Sequence, residues 1–249
     1  MQAPEKNLAF DLVRVTESAA LSAARWLGKG DKEAGDGAAV DAMRLSFNSL
    51  GIQGTVIIGE GAKDKAPMLY NGETVGDGDG PVVDVAVDPV EGTRLLANGR
   101  PNAISVIGVC SGGHMYNPGP SYYMQKLVVG HAARNVIDLD APVRDNLTNI
   151  AKAIGKDVND LVVFVLDKPR HEKLIQEIRA TGARIQLHTD GDVAGALMVA
   201  DPRTDVDVMM GTGGTPEGVI AACAIKGVGG QMLCRLDPQS YVEKEAIEQ

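Results

Sequence analysis

Three acidic residues stand where strand-like sequence gives way to a glycine-rich turn. Glu60 lies in Ile-Ile-Gly-Glu-Gly, Asp88 opens Asp-Pro-Val-Glu-Gly-Thr, and Glu217 lies in Gly-Thr-Gly-Gly-Thr-Pro-Glu-Gly. Loops at the carboxyl ends of strands are where α/β sheets place their ligands. Carboxylates delivered there repel one another unless cations intervene, and hard oxygen donors of this kind suit Mg²⁺ or Mn²⁺. Taken singly each residue also fits a helix cap, and Asp88 before Pro89 has the order of a helix start. It is the recurrence at three strand ends that favours a cation site. A second group is basic. The run Asp-Lys-Pro-Arg-His, residues 167–171, follows a strand and opens a helix. Lys168, Arg170 and His171 thereby offer cationic donors beside backbone N–H groups, which suits a phosphate, although a solvated helix entrance is the commoner meaning of such a run. Thr-Asp-Gly-Asp, residues 189–192, also follows a strand and either accepts hydrogen bonds from sugar hydroxyls or caps a turn.

Other chemistries fail on detail. In loop 211–218 Gly211 and Gly213 fit a dinucleotide fingerprint, but Pro216 occupies the third glycine position. There is no Gly-Lys-Ser/Thr phosphate loop and no Gly-x-Ser-x-Gly elbow, and the histidines at 114, 131, 171 and 188 lack metal-ligand spacing. Cys110, Cys223 and Cys234 are odd in number and far apart, as expected of reduced thiols rather than of a disulfide framework or a zinc site. A net charge of -9 over 249 residues disfavours a nucleic-acid partner. No stretch reaches the length of a membrane span and the N-terminus has no secretory pattern, so a cytoplasmic location is expected.

The elements that must carry these residues follow from periodicity. Leu8, Leu12, Val15, Ala19 and Ala23 predict a helix over 5–28, and a second helix is predicted over 37–50 with Asp36 as its cap. A buried strand is expected over 54–59. Residues 82–88 alternate, with Val83, Val85 and Val87 on one face and Asp84, Ala86 and Asp88 on the other. Beyond residue 142 helices (143–155, 171–181, 192–200, 216–226) alternate with strands (161–167, 184–188, 205–210, 230–236), which predicts α/β units on a largely parallel sheet. A connector at 136–142 is expected to divide a metal-binding α+β half, 1–140, from a substrate-binding α/β half, 141–249.

The six residues Asp88-Pro-Val-Glu-Gly-Thr93 resemble the Asp-Pro-Ile/Leu-Asp-Gly-Ser/Thr motif of the lithium-sensitive, metal-dependent sugar and inositol phosphatases. Further segments resemble the bacterial class II fructose-1,6-bisphosphatases: Arg-Val-Thr-Glu-Ser-Ala-Ala (14–20), Gly-Lys-Gly-Asp-Lys (28–32), Val-Ile-Ile-Gly-Glu-Gly (56–61), Ala-Pro-Met-Leu-Tyr (66–70), Tyr-Met-Gln-Lys-Leu (123–127), Lys-Pro-Arg-His (168–171), Asp-Gly-Asp-Val (190–193) and the loop 211–219. They occur in family order along nearly the whole chain, and the family pattern continues beyond the point matched by Gln249. The resemblance implies a layered αβαβα sugar-phosphatase fold and a cytoplasmic homodimer or homotetramer. It implies metal-dependent removal of the 1-phosphate of fructose 1,6-bisphosphate, with sedoheptulose 1,7-bisphosphate or inositol phosphates as alternative substrates and a non-catalytic sugar-phosphate binder as the alternative of another class. It also implies metal ligands Asp36, Glu60, Asp88, Glu91 and Glu217 for Mn²⁺ or Mg²⁺, and a water-activating pair, Asp64 and Thr93, with Lys32 nearby. Substrate contacts are implied at Glu91, Gly92, Thr93, Tyr123, Lys168, Pro169, Arg170, His171, Asp190, Gly191, Asp192 and Gly214.

Overall fold

The computed structural model describes residues 7–61 and 68–248. The chain forms two compact units, Met1–Asn117 and Pro118–Gln249. The division falls before the 136–142 connector, because strand 123–129 hydrogen-bonds into the second sheet on both its edges.

In the first unit, helix α1 (Leu8–Ala24) starts at Asn7, whose side chain accepts the Ala9 N–H, and it buries Val15, Ala19 and Ala23 at steps of four. Helix α2 spans Lys32–Phe47 and is capped by Asp31, whose carboxylate accepts the Ala34 N–H at 3.0 Å. Asp36 is therefore inside the helix and not its cap. The helix runs through Gly35 because Leu96 and Trp26 press against it: a Cβ there would meet Leu96 Cδ2 at 2.8 Å. Strand β1 (Gln53–Ile58) pairs antiparallel with the short β2 (Thr74–Val75) and parallel with β3 (Val82–Glu91), which pairs antiparallel with β4 (Ile104–Ser111). Val83, Val85 and Val87 enter the core with α1 and α2, as the alternation requires. Asp88 does not end β3. The strand continues through Pro89 to Glu91 with an irregular register between Asp88 and Glu91, where a residue without an N–H is tolerated. Only after Gly92, at φ +86°, does the short helix α3 (Thr93–Ala97) begin.

The second unit is a three-layer α/β/α body. Its sheet has the order β7-β6-β8-β5-β9, built from β5 (Tyr123–Val129), β6 (Val162–Leu166), β7 (Arg184–His188), β8 (Val208–Gly214) and β9 (Gln231–Leu236). Helices α4 (Val143–Ile154) and α5 (Glu172–Arg179) cover one face, where Leu147, Ile150, Ile175 and Ile178 pack on Leu127, Val163 and Val208. Helices α6 (Asp192–Ala200) and α7 (Thr215–Gly227) cover the other, where Ala196, Val199, Ala221 and Ile225 pack on Val128, Phe164 and Met209. A last helix, α8, spans Tyr241–Glu248. Strands β6, β7, β8 and β9 share one direction, but β5 enters antiparallel between β8 and β9, so the sheet is mixed rather than largely parallel. The chain is thus a layered α/β protein, and no helix among the described residues is long and apolar enough to cross a membrane.

Candidate active site

Sheet direction gathers the second unit's chemistry. The carboxyl ends of β6, β7 and β8 and the amino end of β5 lie on one edge of the sheet, where Tyr123 is paired in register with Gly214. From that edge come Lys168 after β6, Asp190 after β7, Asp192 at the start of α6 and Glu217 in the first turn of α7. Gly191 reaches φ +96°, the left-handed turn that aims Asp190 and Asp192 from adjoining positions. Lys168 Nζ stands 3.9 Å from Asp190 Oδ1. Pro169 opens a single 3₁₀ turn, Pro169–His171, that carries Arg170. Arg170 Nε donates to Thr212 O at 2.9 Å, and its guanidinium lies over the Tyr123 ring at 5.2 Å from the centroid. Both contacts fix the fork while leaving its Nη edge for an anion.

His171 takes a different part from the one expected of it. It is 3% exposed. Thr212 N–H donates to Nε2 at 2.8 Å, so Nε2 is the acceptor and Nδ1–H must be the donor to Leu166 O at 2.7 Å. Burial lowers its pKa, so the ring stays neutral. With both nitrogens spent on backbone, His171 pins the turn to β8 and has no donor left for phosphate.

Two residues at this edge escaped sequence reasoning. Lys126, on β5, is 2% exposed, and its ammonium is paired with the Asp192 carboxylate and donates to Gly214 O at 2.6 Å. Glu243, on α8, is equally buried and accepts the backbone N–H groups of Tyr122, Tyr123 and Gln239 at 2.8, 3.0 and 2.9 Å. It fixes the strand end that presents Tyr123 beneath Arg170. The signals for Lys126 were a lysine between Met124 and Val128 on one face of a strand and its place in the family-like segment 123–127. Nothing local in Tyr-Val-Glu-Lys marked Glu243 for the site, because its partners there, Tyr122 and Tyr123, lie about 120 residues away in sequence.

In the first unit α2 and the end of β1 bring Asp36 and Glu60 together. Burial raises the Glu60 carboxyl to about 7, with the Asp36 charge as the second cause. Asp36 is raised by burial and by Glu33, with Lys32 acting against the shift from one helical turn away. Lys32 itself is exposed and ion-paired with Glu33 at 2.8 Å. Asp88 accepts the Val90 N–H at 3.1 Å across the irregularity that turns Glu91, which is buried, along the same strand end. Thr93 follows at the first position of α3. Asp84, on the same face of β3 as Asp88, is a structural acid: it accepts the His114 and Met115 N–H groups at 2.8 and 2.9 Å. Asp64 lies outside the described residues. Among those described, no three His, Cys, Asp or Glu side chains converge into a closed metal cage. The donor chemistry nevertheless suits divalent cations at two points. Asp36 and Glu60 are like charges held together at a partly buried place, and Glu217 Oε2 is buried with no hydrogen-bond partner.

The Glu60 shift has a measurable sign. Its folded pKa lies above the ordinary carboxyl value of 4.5. The stabilisation from the protonated form is therefore complete below that value and is lost as pH rises through about 7. In EDTA the wild-type protein should lose melting temperature relative to Glu60→Gln between about pH 5 and pH 7.5. Parallel curves for the two proteins would remove Glu60 as a buried, charge-opposed acid.

The chain is similar to known proteins over nearly its whole length. The family model described as bacterial fructose-1,6-bisphosphatase, glpX-encoded, matches residues 6–249. The chain is 50% identical over 231 residues to fructose-1,6-bisphosphatase 1 class 2 of Escherichia coli K12, an alignment covering 93% of this chain and 68% of that one. The class 2 fructose-1,6-bisphosphatase of Shigella flexneri matches with the same identity and coverage. With half of its positions shared across nearly its full length, the chain belongs to the bacterial class II fructose-1,6-bisphosphatase family.

Proposed function

We propose that the protein hydrolyses the 1-phosphate of fructose 1,6-bisphosphate, releasing fructose 6-phosphate and inorganic phosphate, with Mn²⁺ or Mg²⁺ as cofactor. The observation that carries this reading is the assembly of two cations, three acids and an aromatic ring at one sheet edge, in a chain of this family: Lys168, Arg170, Asp190, Asp192, Glu217 and Tyr123. Arg170 and Lys168 hold the distal 6-phosphate, with Pro169 setting the turn and Tyr123 supporting the guanidinium. Asp190, Gly191, Asp192 and Gly214 accept the sugar hydroxyls. Asp36, Glu60, Asp88, Glu91 and Glu217 are the cation ligands. Bound divalent cations neutralise phosphate oxygens and lower the pKa of water, which brings hydrolysis within reach near neutral pH. Thr93, at the start of α3 beside Gly92, orients the attacking water, and Asp64 takes its proton. Lys32 moderates the charge of Asp36. As the new P–O bond forms, the bond to the C1 oxygen breaks, and that oxygen gains a proton as it leaves. The exposed apolar side chains Phe10, Val13 and Leu21 along α1 support a homo-oligomer, which we place in the cytoplasm.

Purified protein should release phosphate from fructose 1,6-bisphosphate with added Mn²⁺ or Mg²⁺ and stop on addition of EDTA. Turnover that persists in EDTA would overturn the reading. Arg170→Ala should raise KM for the bisphosphate about tenfold or more, as expected for loss of a charge-assisted anion contact. It should leave KM for a small monophosphate ester nearly unchanged. Equal effects on both substrates would remove Arg170 from the 6-phosphate.

A further inference from the structure

Lys126 is the one charged side chain on the α6–α7 face of β5, where Met124 and Val128 flank it. A buried ammonium is tolerated only when charged or strongly polar partners take its donors. Here the Asp192 carboxylate and Gly214 O take two of the three. The surrounding glycines shape the slot. A Cβ on Gly213 would overlap Asp192 Oδ2, one on Gly214 would overlap Glu217 Oε2, and one on Gly218 would meet Lys126 Cε at 3.1 Å. All three have ordinary backbone φ, so side-chain room, not backbone freedom, is what glycine supplies at these positions. The slot holds two carboxylates and one ammonium, and the division is unequal: Asp192 has its counter-ion, while Glu217 Oε2 is buried without a partner.

We propose that Lys126 is a positioning residue that sorts this pair. By neutralising Asp192 and clamping Gly214 O, it reserves Glu217 for a divalent cation. The inference rests on reading Glu217 as a cation ligand. It makes opposite predictions for the two partners of the ion pair. In Lys126→Met the cation is the only counter-charge left for two carboxylates, so Mn²⁺ binds at least about threefold tighter and raises the melting temperature more than in wild type. In Asp192→Asn the ammonium turns to Glu217 and competes with the cation, so Mn²⁺ binds more weakly and the Mn²⁺-induced shift shrinks.

The test is Mn²⁺ titration of the full chain, followed by thermal melting and direct binding at one pH and ionic strength, for wild type, K126M, D192N and K126R. With fructose 1,6-bisphosphate, K126M should lose at least about tenfold in kcat. K126R should recover part of that loss. Shifts of the same sign in K126M and D192N, or Mn²⁺ affinities equal to wild type in both, overturn the proposal. If K126M fails to fold, D192N alone decides, because a merely structural ion pair does not weaken Mn²⁺ binding. A wild-type protein whose melting temperature ignores Mn²⁺ but which still binds it elsewhere defeats the assignment of Glu217 first, and the proposal with it.

Discussion

Replacing Asp88 by Asn is expected to lower kcat for fructose 1,6-bisphosphate by at least about 10³-fold while leaving the fold intact, the scale seen when a preorganised electrostatic group is removed from a site. The geometry separates these two effects. Asp88 sits in β3 with its backbone paired to Val106, and Oδ1 accepts the Val90 N–H at 3.1 Å. Asn has the same shape and keeps an oxygen for that hydrogen bond, so ladder and turn persist. What disappears is one negative charge at the strand end that also carries Glu91. Acids placed close together raise the energy of the metal-free protein through mutual repulsion. The variant's melting temperature in EDTA should therefore equal or exceed that of wild type, and the stabilisation gained on adding Mn²⁺ should shrink. Phosphate release and paired melts with and without metal check both halves. Activity within tenfold of wild type would exclude Asp88 as a cation ligand. A collapse of the melting temperature in EDTA would show its charge to be structural.

Much of the frame that carries Asp88 was legible in the sequence, and the misreadings share a cause. Strand β7 and helix α6 fall at the residues their periodicity predicts, and β6 and β9 within a residue at each end. Strand β6 and helix α6 are largely buried, so local pattern and tertiary demand agree, whereas β7 and β9 are edge strands that bury no residue fully and are marked by their place between helices. Asp36 was assigned as a cap and Asp88, taken singly, also fitted one, and neither is one. Asp31 is the better N-cap because its carboxylate has the Ala34 N–H within reach, and α2 runs on through Gly35 and Gly37. The order Asp88-Pro89 signals a helix start only when the chain may leave the sheet, and here Val90 and Glu91 are held by core burial and by pairing with β4. Strand β5 went unread as a strand because Lys126 interrupts its apolar face. The residue that hid the strand is the one that belongs to the site, an instance of local rules failing where function intervenes. His171 shows the converse. Its neighbours Lys168 and Arg170 made it look like part of a cationic cluster, and only the positions of Leu166 O and Thr212 N reveal a ring with no donor to spare. Glu243 could not have been found at all without the chain folded, since it answers backbone groups that are exposed only by the end of β5.

The same distinction between backbone and space decides what Gly214 does, and Gly214→Ala tests it. Gly214 lies at φ -62°, ψ 138°, which alanine adopts without strain. If conformational freedom were the reason for glycine, alanine would be neutral or stabilising by about 0.4–1 kcal/mol, through the lower entropy of its unfolded chain. The structure points the other way, because the position of an added Cβ is already taken by the Glu217 carboxylate. The backbone cannot retreat, since Gly214 is paired with Tyr123 and its carbonyl is held by Lys126. The carboxylate must therefore leave its place, and a displacement of about 1 Å in a group aligned for catalysis costs on the order of 10²-fold. Gly214→Ala should accordingly fold, with a melting temperature within a few degrees of wild type, yet lose about 10²-fold or more in kcat. Its Mn²⁺ affinity should weaken because Glu217 no longer presents Oε2. Gly61→Ala is the control for the alternative cause: Gly61 has φ +111° and, among the described residues, nothing near its missing Cβ, so there the penalty is backbone strain and appears as lost stability. Full activity in Gly214→Ala would mean that Glu217 tolerates displacement and is not a ligand held in register. Loss of stability without a specific loss of Mn²⁺ binding would return the glycine to an ordinary packing role.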